Sequence, residues 1–204
     1  MPHYYIPAEA LTNEESIKNS QFITQVEPVA TVEAAKSFIK KIKQKTPDAS
    51  HHCWAYIVGD PNSTTLIGCS DDGEPSGTAG KPMLHVLQHS DLGDIVVVCS
   101  RYFGGTKLGT GGLARAYGGG TKLVIEQLAV KQKIDYLPLS FECDYHQLQD
   151  CQHVLKQYQT EQLQIDYQTK ILLSVNIAAD QKASLQTALI NQLKGQIEWI
   201  ITSS

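Results

Sequence analysis

The sequence predicts a two-domain α+β protein, and three observations predict it. The chain has 204 residues, long for one average domain and comfortable for two small ones. Its texture changes near residue 133, where glycine almost vanishes and glutamine becomes frequent. Apolar spacing also switches repeatedly between the period of two of a strand and the period of about 3.6 of a helix. We place the domains at residues 1–132 and 133–204, with the boundary within 130–134.

Residues 21–30 read as the first strand. Val32, Ala35, Phe38, Ile39 and Ile42 then recur at helical spacing, with Thr31 as N-cap and Pro47 as the stop. The opposite face of that helix carries Lys36, Lys40, Lys41, Lys43 and Lys45, either a solvated face or a strip turned to phosphates. His52–Val58 and Thr64–Cys69 read as strands joined by a turn at Gly59–Ser63. Ser70–Gly80 is too rich in glycine and acid to be a regular element and reads as a long loop. A short helix opens at Lys81-Pro82, with Met83, Leu84 and Leu87 inward. Ile95–Arg101 is the clearest buried strand. A second glycine loop, Phe103–Gly112, runs into a helix with Leu113, Ala116, Tyr117, Val124 and Leu128 on its apolar face. Gly118, Gly119 and Gly120 interrupt this pattern at about 1 kcal/mol each against alanine, so a kink or tight packing is expected there.

In the second half, Leu137, Leu139, Phe141 and Cys143 alternate as in a half-buried strand. Asp144 and Gln147 form a capping-box signature before a helix carrying Leu148, Cys151, Leu155 and Tyr158. Two more strands follow, on Leu163, Ile165 and Tyr167 and on Ile171, Leu173, Val175 and Ile177. Asp180 opens a last helix with Leu185, Ala188, Leu189 and Leu193, Gly195 ends it, and Ile197, Trp199 and Ile201 alternate last. The order β-α-β-β-α-β is the ferredoxin-like arrangement.

Hydrophobic residues make up 42% and charged residues 19%, which excludes a disordered chain. No apolar run approaches the roughly 18 residues of a membrane helix, and Met1–Ala10 has no signal-peptide pattern, so a cytoplasmic protein with no membrane association is expected. The 5 cysteines include no C-x-x-C pair and read as reduced, buried thiols. Residues 1–132 carry 12 Lys and Arg against 13 Asp and Glu, and residues 133–204 carry 5 against 8. Any attraction to nucleic acid must therefore come from local clustering of cations.

Gly80-Lys81 invites a P-loop reading, but Pro75 and Pro82 occupy the positions of the first glycine and the final hydroxyl, so no NTPase site is expected. Gly109–Ala114 fits the dinucleotide pattern G-x-G-x-x-A between a strand and a helix, yet its spacer is too long, and no cofactor is assigned. Glycines before a helix expose amides at the positive end of a dipole, and Arg101, Lys107 and Arg115 lie nearby in sequence. Arg101, Gly104, Gly105, Lys107, Gly109, Gly111, Gly112 and Arg115 are therefore the candidate anion or nucleic-acid site. Asp71, Asp72 and Glu74 offer a magnesium site or, as the simpler reading, a solvated turn. Together with His52 and Lys81 they form a second candidate cluster, in which His52 is expected exposed and Cys53 packed. No catalytic residue and no metal site is assigned.

The runs SQFI (Ser20–Ile23), ASHHC (Ala49–Cys53), SDDGEPSGTAGKPM (Ser70–Met83) and SRYFGGTKLGTGGLARAY (Ser100–Tyr117) resemble the IMPACT family, and most closely its bacterial YigZ-type branch. The family core R-[FYW]-[FYW]-G-G-x-x-L-G stands here as Arg101–Gly109, and the likeness runs through both domains. It implies an N-terminal domain similar to the second domain of ribosomal protein S five and to domain IV of elongation factor G. It implies a C-terminal domain similar to domain V of elongation factor G. Both relatives meet the ribosome. Eukaryotic members regulate translation through an added RWD domain, which this chain is expected to lack, so that partner is not carried over. For bacterial members the resemblance implies no settled activity, and it leaves Arg101–Arg115 as a candidate binding surface. The leading expectation is a non-enzymatic, translation-associated factor that meets RNA or the ribosome through the glycine loop. A protein partner on the C-terminal domain remains open. The alternative is an enzyme acting on a small phosphorylated or peptide-like substrate, with the second cluster converging beside that loop.

Overall fold

A computed structural model describes residues 4–62 and 66–200. The chain divides between Lys133 and Ile134 into two compact units. Its described residues form a two-domain α+β fold with antiparallel sheets and five α-helices.

The N-terminal unit contains strands β1 (Tyr5–Pro7), β2 (Leu11–Ile17), β3 (Ser20–Pro28), β4 (His51–Ile57), β5 (Ile67–Ser70), β6 (Ile95–Tyr102) and β7 (Val130–Gln132). Its helices are α1 (Val32–Lys45), α2 (Gly80–Gln88) and α3 (Thr110–Glu126). Five strands form one sheet in the order β2-β3-β6-β4-β5, with every neighbouring pair antiparallel. Strands β1 and β7 pair separately. Central strand β6 is buried on both faces because helices cover both. Val96 and Val98 pack with Phe38, Ile39 and Ile42 of α1. Ile95, Val97 and Cys99 pack with Met83 and Leu87 of α2 and with Leu113, Ala116 and Tyr117 of α3. Hence β6 reads as a continuous apolar run rather than an alternating one.

Helix α1 begins as its sequence dictates: Thr31 Oγ1 accepts from the Ala34 amide at 3.1 Å. Its lysines do not form a uniform free strip, since Lys43 pairs with Asp72 and Lys41 with Glu27. Helix α3 runs unbroken through Gly118–Gly120. A Cβ on Gly120 would lie 2.9 Å from Thr24 Oγ1, so close packing explains that glycine, whereas a Cβ on Gly119 would meet nothing within 4 Å. Strand β2 escapes the sequence reading because its Leu-Thr-Asn-Glu-Glu-Ser-Ile run is mostly polar, as an edge strand tolerates. Strands β1 and β7 have three residues each, too few to give a periodic signal. Thr64, Thr65 and Ser63 of the expected strand and turn, and Ile201 of the last strand, lie outside the described residues.

The C-terminal unit contains β8 (Tyr136–Cys143), a 3-10 turn (Tyr145–Gln147), α4 (Leu148–Leu155), β9 (Thr160–Tyr167), β10 (Ile171–Ala178), α5 (Lys182–Gln192) and β11 (Glu198–Ile200). The sheet order is β11-β8-β10-β9, antiparallel throughout. Asp144 and Gln147 make the capping box, here on the 3-10 turn that leads into α4. Helix α5 starts at Lys182 with Gln181 as N-cap, not with Asp180. Gly195, at φ +81°, ends that stretch and donates its amide to Ile190 O at 2.8 Å. Phe141, Leu173 and Ile177 of the sheet pack with Cys151, Leu185 and Leu189 of the helices in one core.

Candidate functional site

The glycine loop and the acidic loop meet, and Arg101 is the reason. Side chains on a strand alternate, so Arg101 follows Ile95, Val97 and Cys99 onto the face covered by α2 and α3. It is 4% exposed. Its Nη1 donates to Glu74 Oε1 at 2.6 Å and its Nη2 to Ser20 Oγ at 3.3 Å. The guanidinium lies 5.4 Å from the Phe22 ring and 5.5 Å from the Phe103 ring. Tyr117 Oη donates to the same Glu74 oxygen at 2.7 Å. This corrects the reading of Arg101 as a free phosphate ligand, because its charge is already matched by a buried carboxylate. The Tyr117 hydroxyl is pushed far above the ordinary tyrosine range, first by burial and then by its neighbours Cys53, Cys99 and Glu74.

The acidic loop is internally stitched. Asp71 Oδ1 accepts from the Ala79 and Gly80 amides at 3.0 and 2.9 Å, and Oδ2 from Gly77 at 2.7 Å. Burial would raise the Asp71 carboxyl, but those three amides and nearby Lys81 outweigh it and hold the group below its usual value. Asp72 accepts from Lys43 Nζ at 2.6 Å and from the His52 amide at 2.8 Å. It too sits below its usual value, against the opposing effect of burial. The expected turn at Asp72-Gly73 is real, with φ +42° and +89°.

His52 is buried rather than exposed, on the α1 face, with Nε2 3.0 Å from both Thr46 Oγ1 and Thr46 O. Cys53 is packed at 0% exposure. Burial pushes the Cys53 thiol up, and Cys99 is pushed up to about 12 for the same first reason. Both histidines approach carboxylates: His51 Nε2 is 3.9 Å from Glu74 Oε2, and His52 Nδ1 is 3.8 Å from Asp72 Oδ2. The expected convergence of His52, Asp71, Asp72, Glu74 and Lys81 therefore does not occur as one open cluster. Asp71 is spent on loop amides, Asp72 on Lys43 and the His52 amide, His52 Nε2 on Thr46, and Lys81 is exposed. Among the described residues no group of three or more His, Cys, Asp or Glu side chains is placed to hold a metal ion.

Glu74 and Arg101 form one wall of a pocket of about 310 Å³. Pro75, Phe103, Leu108 and Leu113 supply its apolar surface. Lys107, Gly109 and Thr110 bring the glycine loop and the start of α3 to its rim. A neighbouring groove of about 350 Å³ is lined by Ile17, Lys18, Leu108, Gly112, Arg115 and Ala116. Leu108 is common to both. The three candidate cations thus separate: Arg101 and Lys107 line the first concavity, Arg115 the second. Lys18 joins Arg115 there, a residue that sequence reasoning missed. Its signal is tertiary: the β2–β3 turn at Lys18-Asn19, φ +47° and +67°, docks against Gly104. A Cβ on Gly104 would lie 1.9 Å from Asn19 O, so only glycine fits.

Two loop amides have internal partners: Phe103 donates to Ser50 Oγ and Gly104 to Ser20 Oγ, both at 3.2 Å. Gly105 and Gly109, at φ +86° and +73°, use the left-handed region open to glycine. Gly109 is the N-cap of α3 and offers no side-chain acceptor to the first turn, which carries no acidic residue. A Cβ on Gly111 would lie 3.9 Å from Arg115 Nη2, so that guanidinium reaches back over the first turn. Lys18, Lys107 and Arg115 are exposed, and among the described residues none has an ion-pair partner.

Comparison with known proteins places this site in a matched region. The Impact N-terminal domain matches residues 18–125, and a domain of unknown function, DUF1949, matches residues 141–196. The chain is 41% identical over 198 residues to the IMPACT family member YigZ of Escherichia coli, covering 97% of both chains. It is 42% identical over 197 residues to an IMPACT family member of Haemophilus influenzae, covering 97% of this chain and 96% of the other. A crystal structure described as that of a hypothetical protein superposes with a TM-score of 0.71 at 40% identity, over 100% of this chain and 99% of that one.

Proposed function

Since the chain belongs to the IMPACT family, we propose that it is a translation-associated factor that binds RNA or the ribosome at the glycine loop, without catalysing a reaction. The observation that carries this reading is a trio of exposed cations, without ion-pair partners among the described residues, around an uncapped helix N-terminus: Lys107 on one side, Lys18 and Arg115 on the other. Two concavities sharing Leu108 offer successive seats for phosphates along one strand. In this reading Arg101 holds the site's shape and does not touch phosphate. The resemblance to ribosome-binding domains supplies the translational context, and a cytoplasmic location goes with it.

The fold reading belongs to the same proposal. We take the N-terminal unit as similar to the second domain of ribosomal protein S five and the C-terminal unit as ferredoxin-like. The strand order β11-β8-β10-β9, fourth-first-third-second within the unit, supports the latter. Its open sheet face does not suit phosphates. Glu142, Asp166 and Glu198 share that face by register, with Lys170 bonded to Glu198 at 3.1 Å. A protein partner fits this acidic face better than a second RNA contact does.

Ribosome and RNA co-sedimentation at low and high salt tests the proposal. Each lost phosphate contact should flatten the plot of log affinity against log salt by about 0.7 for a single strand. Lys18→Ala, Lys107→Ala and Arg115→Ala should each do so while leaving the protein folded. Binding indifferent to salt and to all three substitutions removes the proposal.

One observation favours the second reading, an enzyme for a small phosphorylated or peptide-like substrate: the buried, charge-matched carboxylate of Glu74 lines the apolar pocket. It has less support, because Asp71, Asp72 and His52 are committed elsewhere.

A further inference from the structure

We propose that the pocket between Glu74 and Lys107 receives one unstacked nucleotide and selects guanine, with the base over Phe103 and the phosphate at the start of α3. The inference rests on the RNA reading above and names what that site would recognise.

Five features converge. Phe103 is 49% exposed, although its ring lies 5.5 Å from the Arg101 guanidinium. A cation on one side of an aromatic ring leaves the other side as a stacking platform, and bases stack on such platforms regardless of sequence. Leu108, Leu113 and Pro75 extend the apolar surface around it. The space, about 310 Å³, lies at the low end of the roughly 300–1,000 Å³ of ligand clefts and suits a single nucleotide rather than a dinucleotide.

The pocket wall also contains polar atoms with hydrogen-bonding capacity to spare. Glu74 is 8% exposed. Its Oε1 accepts from both Arg101 and Tyr117, while Oε2 accepts no hydrogen bond among the described residues and has His51 Nε2 at 3.9 Å, beyond hydrogen-bond reach. Arg101, more deeply buried still, has a partnerless Nε. A carboxylate oxygen with acceptor capacity to spare suits an N–H donor from the ligand. Guanine presents adjacent N1–H and N2–H donors on its Watson–Crick edge, the edge that proteins read in unpaired RNA. Adenine presents an acceptor at N1 beside its amino group, so a carboxylate meets repulsion there. At the other end, Lys107 and the uncapped first turn of α3 provide positive charge and free amides for the phosphate. Glu74 does not repel that phosphate strongly, because Arg101 matches its charge at 2.6 Å.

Calorimetric titration of the full chain with 5′-GMP, 5′-AMP and inorganic phosphate tests this. GMP should bind at least tenfold more tightly than either of the others. Phe103→Ala, at an exposed position that should not compromise folding, should weaken GMP about tenfold or more. Glu74→Gln should erase the preference for GMP over AMP, with circular dichroism checking that it folds. Phosphate binding as tight as GMP, equal GMP affinity in Phe103→Ala, or equal affinity for GMP and AMP would each overturn the proposal. Salt-dependent RNA binding that survives Phe103→Ala unchanged would remove this pocket and leave the RNA reading standing. GMP binding without any RNA or ribosome binding would do the reverse. Tight binding of a phosphotyrosine peptide with no binding of GMP would assign the pocket to protein instead.

Discussion

Arg101 and Glu74 stand 27 residues apart in sequence, and their side chains meet at 2.6 Å inside the N-terminal core. Both are almost wholly enclosed, with side-chain exposures of 5% and 4%. The pair ties the end of β6 to the acidic loop, and Tyr117 ties the same carboxylate to α3. Behind that wall of the pocket lies a three-way junction of strand, loop and helix.

That junction makes Arg101 a structural residue. Arg101→Ala should destabilise the protein by roughly 3–5 kcal/mol, because Glu74 would stay buried without its counter-charge. Tyr117→Phe removes one hydrogen bond to a charged acceptor and should cost about 1.5–3 kcal/mol. Urea unfolding followed by circular dichroism reads both. A change below 0.5 kcal/mol or so for Arg101→Ala would mean that the pair contributes nothing to stability.

Neighbouring glycines of α3 should respond in opposite directions. A Cβ at Gly119 enters open space, so Gly119→Ala should gain up to about 1 kcal/mol from helix propensity. At Gly120 the Cβ would lie 2.9 Å from Thr24 Oγ1 and 3.1 Å from Glu15 Oε2, so Gly120→Ala should lower the melting temperature. Thermal melts of the two variants decide the matter. Shifts of the same sign would contradict the packing described here.

Acid should loosen the loop. Asp71 and Asp72 are both held below the usual carboxylate value. A carboxyl depressed in the folded state adds stability above its unfolded pKa, about 3.9, and loses it as pH falls through the lower folded value. Stability should therefore drop below about pH 4. Asp71→Asn should lower stability at neutral pH and flatten that acid limb. Urea midpoints across pH 2–7 measure it, and an unchanged acid limb in Asp71→Asn would show that the Gly77, Ala79 and Gly80 amides do not set the behaviour.

Much of the fold was legible locally. Ala35, Phe38, Ile39 and Ile42 announce the buried face of α1, and they are its buried residues. The alternation of Leu139, Phe141 and Cys143 and of Ile171, Leu173, Val175 and Ile177 marks the inner face of the second sheet. The Arg101–Gly109 run identified the family from its residues alone. Periodicity can do this because it records which side of an element is removed from water.

Tertiary structure decided how the charged groups are used. Nothing in spacing distinguishes Arg101, enclosed and paired, from Lys107 and Arg115, exposed and without ion-pair partners among the described residues. Nor could spacing bring Lys18 beside Arg115, bury His52 under Thr46, or spend Asp71 on amides up to nine residues away. A charge's role depends on depth and on partners from distant strands and loops, and those contacts exist only once the sheet has assembled. The sequence by itself determined the elements, their buried faces and the family. Only the assembled sheet determined which cations were left free to meet a ligand.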